Sequence, residues 1–128
     1  MSPIKVICAI ISIQNKILVV QQNKNMSLPM KWEFPGGKLE SDESEISCIK
    51  REIQEELNIE IEVSDRLTPS IFHYPTFTIE LIPYTAKYIS GNLTLKEHHQ
   101  YLILNQNDLN SLDWAEADLS IVEEYMKL

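Results

Sequence analysis

An α+β architecture, with a mixed β-sheet lying between helices, is predicted by three features of the sequence. Two β-branched apolar runs stand close together at the start. A stripe of apolar residues at helical spacing occupies the middle, and short strand-like runs then lead to one more helix. No internal repeat, low-complexity tract or linker divides the chain, and 128 residues is about the length of one domain, so residues 1–128 are read as a single folded unit.

Lys5–Ser12 and Lys16–Gln21 are rich in β-branched residues, and Gln14-Asn15 between them gives a hairpin with a tight turn. Residues 22–35 lose periodicity and hold two prolines, so they form a loop leading to Gly36-Gly37. Ile46, Ile49, Ile53 and Leu57 recur at steps of three and four, which sets them on one stripe of a helix from about Ser44 to Leu57. Asn58 follows where a helix commonly ends in the left-handed conformation, which Asn tolerates better than most residues. Short strands are expected at Ile59–Val63, Ser70–His73, Phe77–Leu81, Tyr84–Ile89 and Tyr101–Leu104, and a last helix at Asp118–Lys127.

Nineteen acidic residues against eleven basic ones give a formal charge of −8, which repels a nucleic-acid backbone and argues against bulk DNA or RNA binding. A free nucleotide, arriving with its own magnesium, suits an acidic site. The apolar stretch from Val6 to Ile13 has a single lysine ahead of it, no small-residue cleavage site and a polar break at Gln14-Asn15, so it is a strand rather than a signal peptide. No apolar run approaches the roughly 20 residues that span a bilayer. Cys8 and Cys48 read as buried thiols, and a reducing cytoplasm is the expected location.

Five residues separate Gly37 from Glu43 and seven separate Glu43 from Arg51, after which Arg51-Glu52-Ile53-Gln54-Glu55-Glu56-Leu57-Asn58-Ile59 runs without a gap. Glu52 and Glu56 fall one helical turn apart with Glu55 beside them, so three carboxylates converge next to the apolar stripe. Like charges at this spacing cost a helix about a few tenths of a kcal/mol per pair, and a hard divalent cation reverses the sign. A magnesium site is the inference; the plainer reading is a solvated acidic face. Gly36-Gly37 admits a ligand close to the backbone and Lys38 can reach a phosphate, whereas Gly-Gly alone would be only a turn.

This spacing resembles the signature of the Nudix hydrolase family, with Asn58 in place of its glycine. Similarity to MutT-type members continues from the first strand through Trp32-Glu33-Phe34-Pro35-Gly36-Gly37-Lys38 to Trp114-Ala115-Glu116-Ala117-Asp118. The resemblance implies a Nudix-type α/β/α sandwich and magnesium-dependent hydrolysis of a nucleoside triphosphate to the monophosphate and pyrophosphate, with manganese as a substitute metal. It implies that Glu52, Glu55 and Glu56 hold the metal with the Gly36 carbonyl, that Arg51 orients a catalytic glutamate, and that Glu43 supports the helix start. Glu97 falls where a late-loop glutamate joins the metal site or acts as base, though an exposed loop glutamate is often only solvated. His98 and His99 read as ordinary loop residues.

Lys38, Phe34, Phe77 and Asp118 are the candidate substrate contacts. The two phenylalanines either stack on a base or belong to the core. Asp118, if ionised, accepts from an exocyclic amine of the base; it can also cap the last helix. Gln21-Gln22 stand where MutT-type proteins often have Arg, which leaves Lys24 as the nearest cation and phosphate binding to magnesium and Lys38. The expected substrate is a small nucleotide, 8-oxo-dGTP ahead of a cytosine triphosphate, bound by a monomer without nucleic-acid or membrane partners. The competing readings are a non-catalytic Nudix-fold module that senses a nucleotide or binds a protein, and an enzyme for another nucleoside diphosphate derivative.

Overall fold

The structure, a computed structural model, describes residues 2–128. The strands are β1 (Ile4–Ile13), β2 (Lys16–Gln21), β3 (Trp32–Glu33), β4 (Gly36–Lys38), β5 (Glu60–Arg66), β6 (Ser70–His73), β7 (Thr78–Ser90) and β8 (Gln100–Leu104). The helices are α1 (Glu45–Leu57) and α2 (Glu116–Met126), with a 3-10 turn at Gln106–Ser111 ahead of α2. All eight strands join one sheet along the path β3-β2-β1-β7-β5, with β4 on β1, β6 on β7 and β8 on β2. The β1–β7 pair is parallel and the other pairings are antiparallel.

β1 is buried on both faces, which explains its unbroken apolar run where a one-faced strand would alternate. Ile7, Ala9 and Ile11 meet Cys48, Ile49, Ile53 and Leu57 of α1 on one side. Cys8 and Ile10 meet Trp114, Ala117, Ile121 and Val122 on the other, where α2 lies. The expected sandwich, sheet between helices, follows from this alternation.

Local signals in the sequence act as expected. Gln14 and Asn15 have φ of 51° and 67°, the two left-handed residues that a turn of the type matching strand twist requires. Ser44 accepts the Ser47 N–H at 3.1 Å and starts α1. Asn58, at φ 58° and ψ 34°, ends it by donating its N–H to the Gln54 carbonyl at 3.1 Å. Both cysteines are buried and free.

Four expectations change. The loop over residues 22–35 contains β3 and runs directly into β4, strands so short that only their partners on β2 and β1 define them. The separate strands at Phe77–Leu81 and Tyr84–Ile89 are one strand, β7, running through Pro83. Pro83 turns its carbonyl outward to accept the Leu67 N–H at 2.9 Å, and its missing N–H faces the same edge at the place where β6 stops pairing and β5 begins. Ile46 shares the azimuth of the buried stripe but is 45% exposed, so the stripe that packs is Ile49, Ile53 and Leu57 with Cys48 beside it. Finally, α2 begins at Glu116 after Ala115, so Asp118 sits inside its first turn and does not cap it.

Candidate active site

β4 brings the glycine loop under α1. Gly36 pairs with Cys8 and Gly37 with Ile7. A Cβ at Gly36 would overlap the Ile7 carbonyl, and one at Gly37 would overlap the Glu52 carboxylate. Both glycines therefore serve close approach: one of strand to strand, the other of a carboxylate to backbone.

Arg51 gathers the acidic residues around α1. Its Nε and Nη2 donate to the two carboxylate oxygens of Glu43 at 3.0 and 2.7 Å, and its Nη1 donates to Glu55 at 3.2 Å and lies 3.4 Å from Glu52. Glu43 also accepts the Glu40 N–H at 3.0 Å, so it ties the loop before α1 to the helix, the supporting place expected of it. The Arg51 hydrogen bond first, and the Glu40 N–H second, hold the Glu43 carboxyl down at about 2. A depressed carboxylate stabilises the fold above its ordinary value of 4.5, and that contribution disappears as pH falls towards 2. A Glu43→Gln variant should thus melt below the parent at neutral pH, and the gap between the two melting curves should close progressively from about pH 4.5 downward.

The three signature glutamates are not equivalent. Glu55 is exposed and turned to Arg51, whereas Glu52 and Glu56 face inward beside the buried stripe. Burial raises the Glu52 carboxyl and pushes Glu56 up to about 7, with His98 opposing and Glu52 adding to the effect on Glu56. Glu56 Oε2 is buried without a hydrogen-bond partner among the described residues. A buried carboxylate oxygen without a donor suits a cation. No three acidic, histidine or cysteine side chains form a ready-made shell among the described residues, so the expected convergence of Glu52, Glu55 and Glu56 is partial. Magnesium tolerates that arrangement, since it binds through one or two carboxylates and takes its other ligands from water and phosphate oxygens.

Beside this cluster runs a cleft. One part, about 200 Å³, is lined by Gln22, Glu33, Lys38, Tyr74, Ala117 and Asp118 among others. An adjoining part of about 300 Å³ is lined by Ile4, Val6, Ser27, Lys38, Phe77 and Ile79. Lys38 borders both. Asp118 is buried and accepts the Phe34 N–H at 3.0 Å; burial and then the Glu33 charge raise its carboxyl well above the usual range, with the Phe34 N–H opposing. Phe77 lies against Tyr74 with ring centres 5.0 Å apart and keeps one side on the cleft. Phe34 is 3% exposed with its ring 4.8 Å from Trp114, so its ring belongs to the core, one of the two places open to it.

Two site features escaped the sequence. Tyr74 lines the cleft and accepts the Ala117 N–H at 3.0 Å, holding the start of α2. His98, read as a loop residue, is buried and bonded to Glu33 at 2.9 Å, while His99 is exposed. Burial lowers the His98 imidazole, but the Glu33 hydrogen bond and the charges of Glu33, Glu56 and Glu97 outweigh it and leave it raised. Glu97 itself is exposed, on the loop beside His98. No helix among the described residues is long and apolar enough to cross a membrane.

A glycine-floored acidic helix beside a cleft, on this sandwich, defines the class: the NUDIX domain pattern matches residues 1–125, and the chain belongs to that family. Its members generally use divalent metal ions. Among its relatives, the CTP pyrophosphohydrolase of Escherichia coli K12 is 31% identical over 128 residues, covering 100% of this chain and 95% of that protein. A putative 8-oxo-dGTP diphosphatase 2 of Mycobacterium tuberculosis is 30% identical over 80% of this chain and 73% of its own length. Among solved structures, that of the E. coli ORF135 protein superposes with a TM-score of 0.88 at 31% identity, covering 100% of this chain and 91% of that one. A MutT protein of methicillin-resistant Staphylococcus aureus 252 superposes at 0.79 with 38% identity, covering 98% and 97%.

Proposed function

We propose that this Nudix hydrolase cleaves a nucleoside triphosphate to the monophosphate and pyrophosphate, using magnesium, as a cytoplasmic monomer. The observation that carries the reading is the continuity made by β4: Gly37 lies against the Glu52 carboxylate and Lys38, the next residue, borders the cleft. A phosphate chain lying along β4 meets the cation site at one end while its nucleoside occupies the cleft. Glu52, Glu56 and the Gly36 carbonyl would hold the metal, with Glu55 and Glu97 available to complete it. Bound there, magnesium supplies the Lewis acidity that polarises a phosphoryl oxygen and activates water.

The protein's own groups do the positioning. Arg51 holds Glu55 outward at 3.2 Å and stands 3.4 Å from the inward-facing Glu52, and Lys38 offers a point charge to phosphate. Asp118 lines the cleft, where a carboxyl accepts from an exocyclic amine of the base and, when protonated, also donates to a ring nitrogen. That pairing suits the ring nitrogen and amino group of cytosine, and the full-length similarity to a CTP pyrophosphohydrolase supports the same choice. The similarity to 8-oxo-dGTP diphosphatases supports oxidised guanine as the second reading.

Pyrophosphate release should be measured with and without magnesium on CTP, dCTP, 5-methyl-dCTP, dGTP, 8-oxo-dGTP, dATP and ADP-ribose. Strong magnesium-dependent release from one triphosphate is the expected result, and its base decides between the two readings. Silence across the panel from folded protein would favour a non-catalytic binding module, and preference for ADP-ribose would replace triphosphates by another diphosphate.

A further inference from the structure

The loop that carries Glu97 is exposed at Lys96, Glu97 and His99, and His98 is its one buried side chain. His98 Nε2 lies 2.9 Å from Glu33 Oε2. The other Glu33 oxygen accepts from Gln22 Nε2 at 2.8 Å, and Gln22 in turn accepts the Leu28 N–H at 2.9 Å. Glu33 stands three residues before Gly36 on the segment that forms the floor of the acidic cluster. One imidazole therefore joins the Glu97 loop to the strand that leads into the glycine floor.

His98 holds this place at a cost. Its Nδ1 is buried without a partner among the described residues, a penalty that a side chain on an exposed loop would escape by swinging into water. The Glu33 contact offsets that penalty. The backbone on either side is also tied: Lys96 N–H to the Glu56 carbonyl at 3.1 Å, His99 N–H to the Gln21 carbonyl at 2.9 Å, and the Asn23 side chain to the Glu97 carbonyl at 2.8 Å. These ties fix the backbone of the loop. Leu93 and Leu95 rest half-buried against the core earlier in the loop, and within residues 96–99 His98 is the side chain that reaches the interior.

We infer that His98 is a positioning residue: by its buried hydrogen bond to Glu33 it locks the Glu97 loop in register with the glycine floor and the acidic face of α1. The inference rests on the proposed hydrolase reading for its catalytic consequence and on the geometry alone for the lock. Groups that orient metal-site ligands from behind typically matter about 10- to 100-fold in affinity or rate, and that is the size of effect expected here.

The test compares His98→Ala, His98→Gln and, as a control on the exposed neighbour, His99→Ala. Gln places an N–H the same number of bonds from Cα as His Nε2, so it can restore the bond to Glu33. In metal-free protein, amide exchange over residues 96–99 should quicken at least about 10-fold in His98→Ala, with α1 unchanged. Exchange should return towards the parent in His98→Gln and stay at the parent level in His99→Ala. Manganese affinity, read by electron paramagnetic resonance, should fall in the same order. On the best triphosphate, kcat should fall about 10- to 100-fold in His98→Ala with KM little changed, and Gln should recover most of it.

Unchanged exchange at 96–99 in His98→Ala, or acceleration spread equally through α1, would overturn the lock. A loosened loop with parental manganese affinity and kcat would overturn its role at the site. A parent protein silent on every substrate, with the exchange and manganese effects as expected, would instead overturn the hydrolase reading and leave the lock standing.

Discussion

A Glu56→Gln protein should fold normally and release pyrophosphate at least about 10³-fold more slowly than the parent, a loss of roughly 4 kcal/mol of transition-state stabilisation. The substitution keeps the shape of the side chain, removes its ability to carry charge and turns one acceptor oxygen into an NH2 donor, at a position where Oε2 is buried without a hydrogen-bond partner among the described residues. The fold does not need the charge. Burial pushes this carboxyl up to about 7, so in the absence of metal its ionised form opposes folding, and a neutral amide should leave the melting temperature equal or higher. Steady-state pyrophosphate release and thermal melting in chelator together check both halves. Parental turnover from folded Glu56→Gln would sink the metal-site assignment.

Gly37→Ala and Gly36→Ala, neighbours on the same three-residue strand, should fail in opposite ways. At Gly37 the added methyl meets the end of the Glu52 side chain, which can swing aside. The fold should survive, and turnover should drop about 100-fold because Glu52 no longer rests on the backbone. At Gly36 the methyl meets the Ile7 carbonyl and the Cys8 backbone, which cannot move without breaking the β1–β4 pairing. That variant should lose about 3 kcal/mol or more of stability. Chemical denaturation separates the two, with activity measured on whatever remains folded. A stable, fully active Gly37→Ala would show that Glu52 does not need this seat.

Features set by near neighbours in the chain were legible from sequence. The Gln14-Asn15 turn, the Ser44 start of α1, its Ile49-Ile53-Leu57 stripe and its Asn58 stop all depend on residues a few positions apart, and each is found as expected. The pairing of Arg51 with Glu43 was not read from the sequence, where Glu43 had only a supporting place at the helix start; the structure joins them through two hydrogen bonds. What else was missed depends on distant partners. β3 and β4 exist because β2 and β1 lie beside them. Pro83, which lies between the two strands expected at Phe77–Leu81 and Tyr84–Ile89, is accommodated within one strand because β6 and β5 change places on that edge of β7. His98 is buried by Glu33, 65 residues away in sequence, and no local pattern marks a histidine that a remote carboxylate draws inward. Helical azimuth placed Glu55 with Glu52 and Glu56, but only the structure shows it turned out to Arg51.

The parallel pairing of β1 with β7 also sets when this protein can come into being. Ile4 lies opposite Ile79 and Ser12 opposite Lys87, so the central contact of the sheet closes over some seventy-five residues, a separation that slows folding because the entropy of closure precedes any reward. During synthesis the first hairpin and α1 emerge early, yet the floor on which α1 packs includes Ile82, Tyr84 and Ala86 of β7. Until β7 has left the ribosome, the acidic helix has an apolar stripe and only part of a surface to lay it on. Chains halted before about residue 90 should therefore expose that stripe and be the species that aggregates or recruits chaperones.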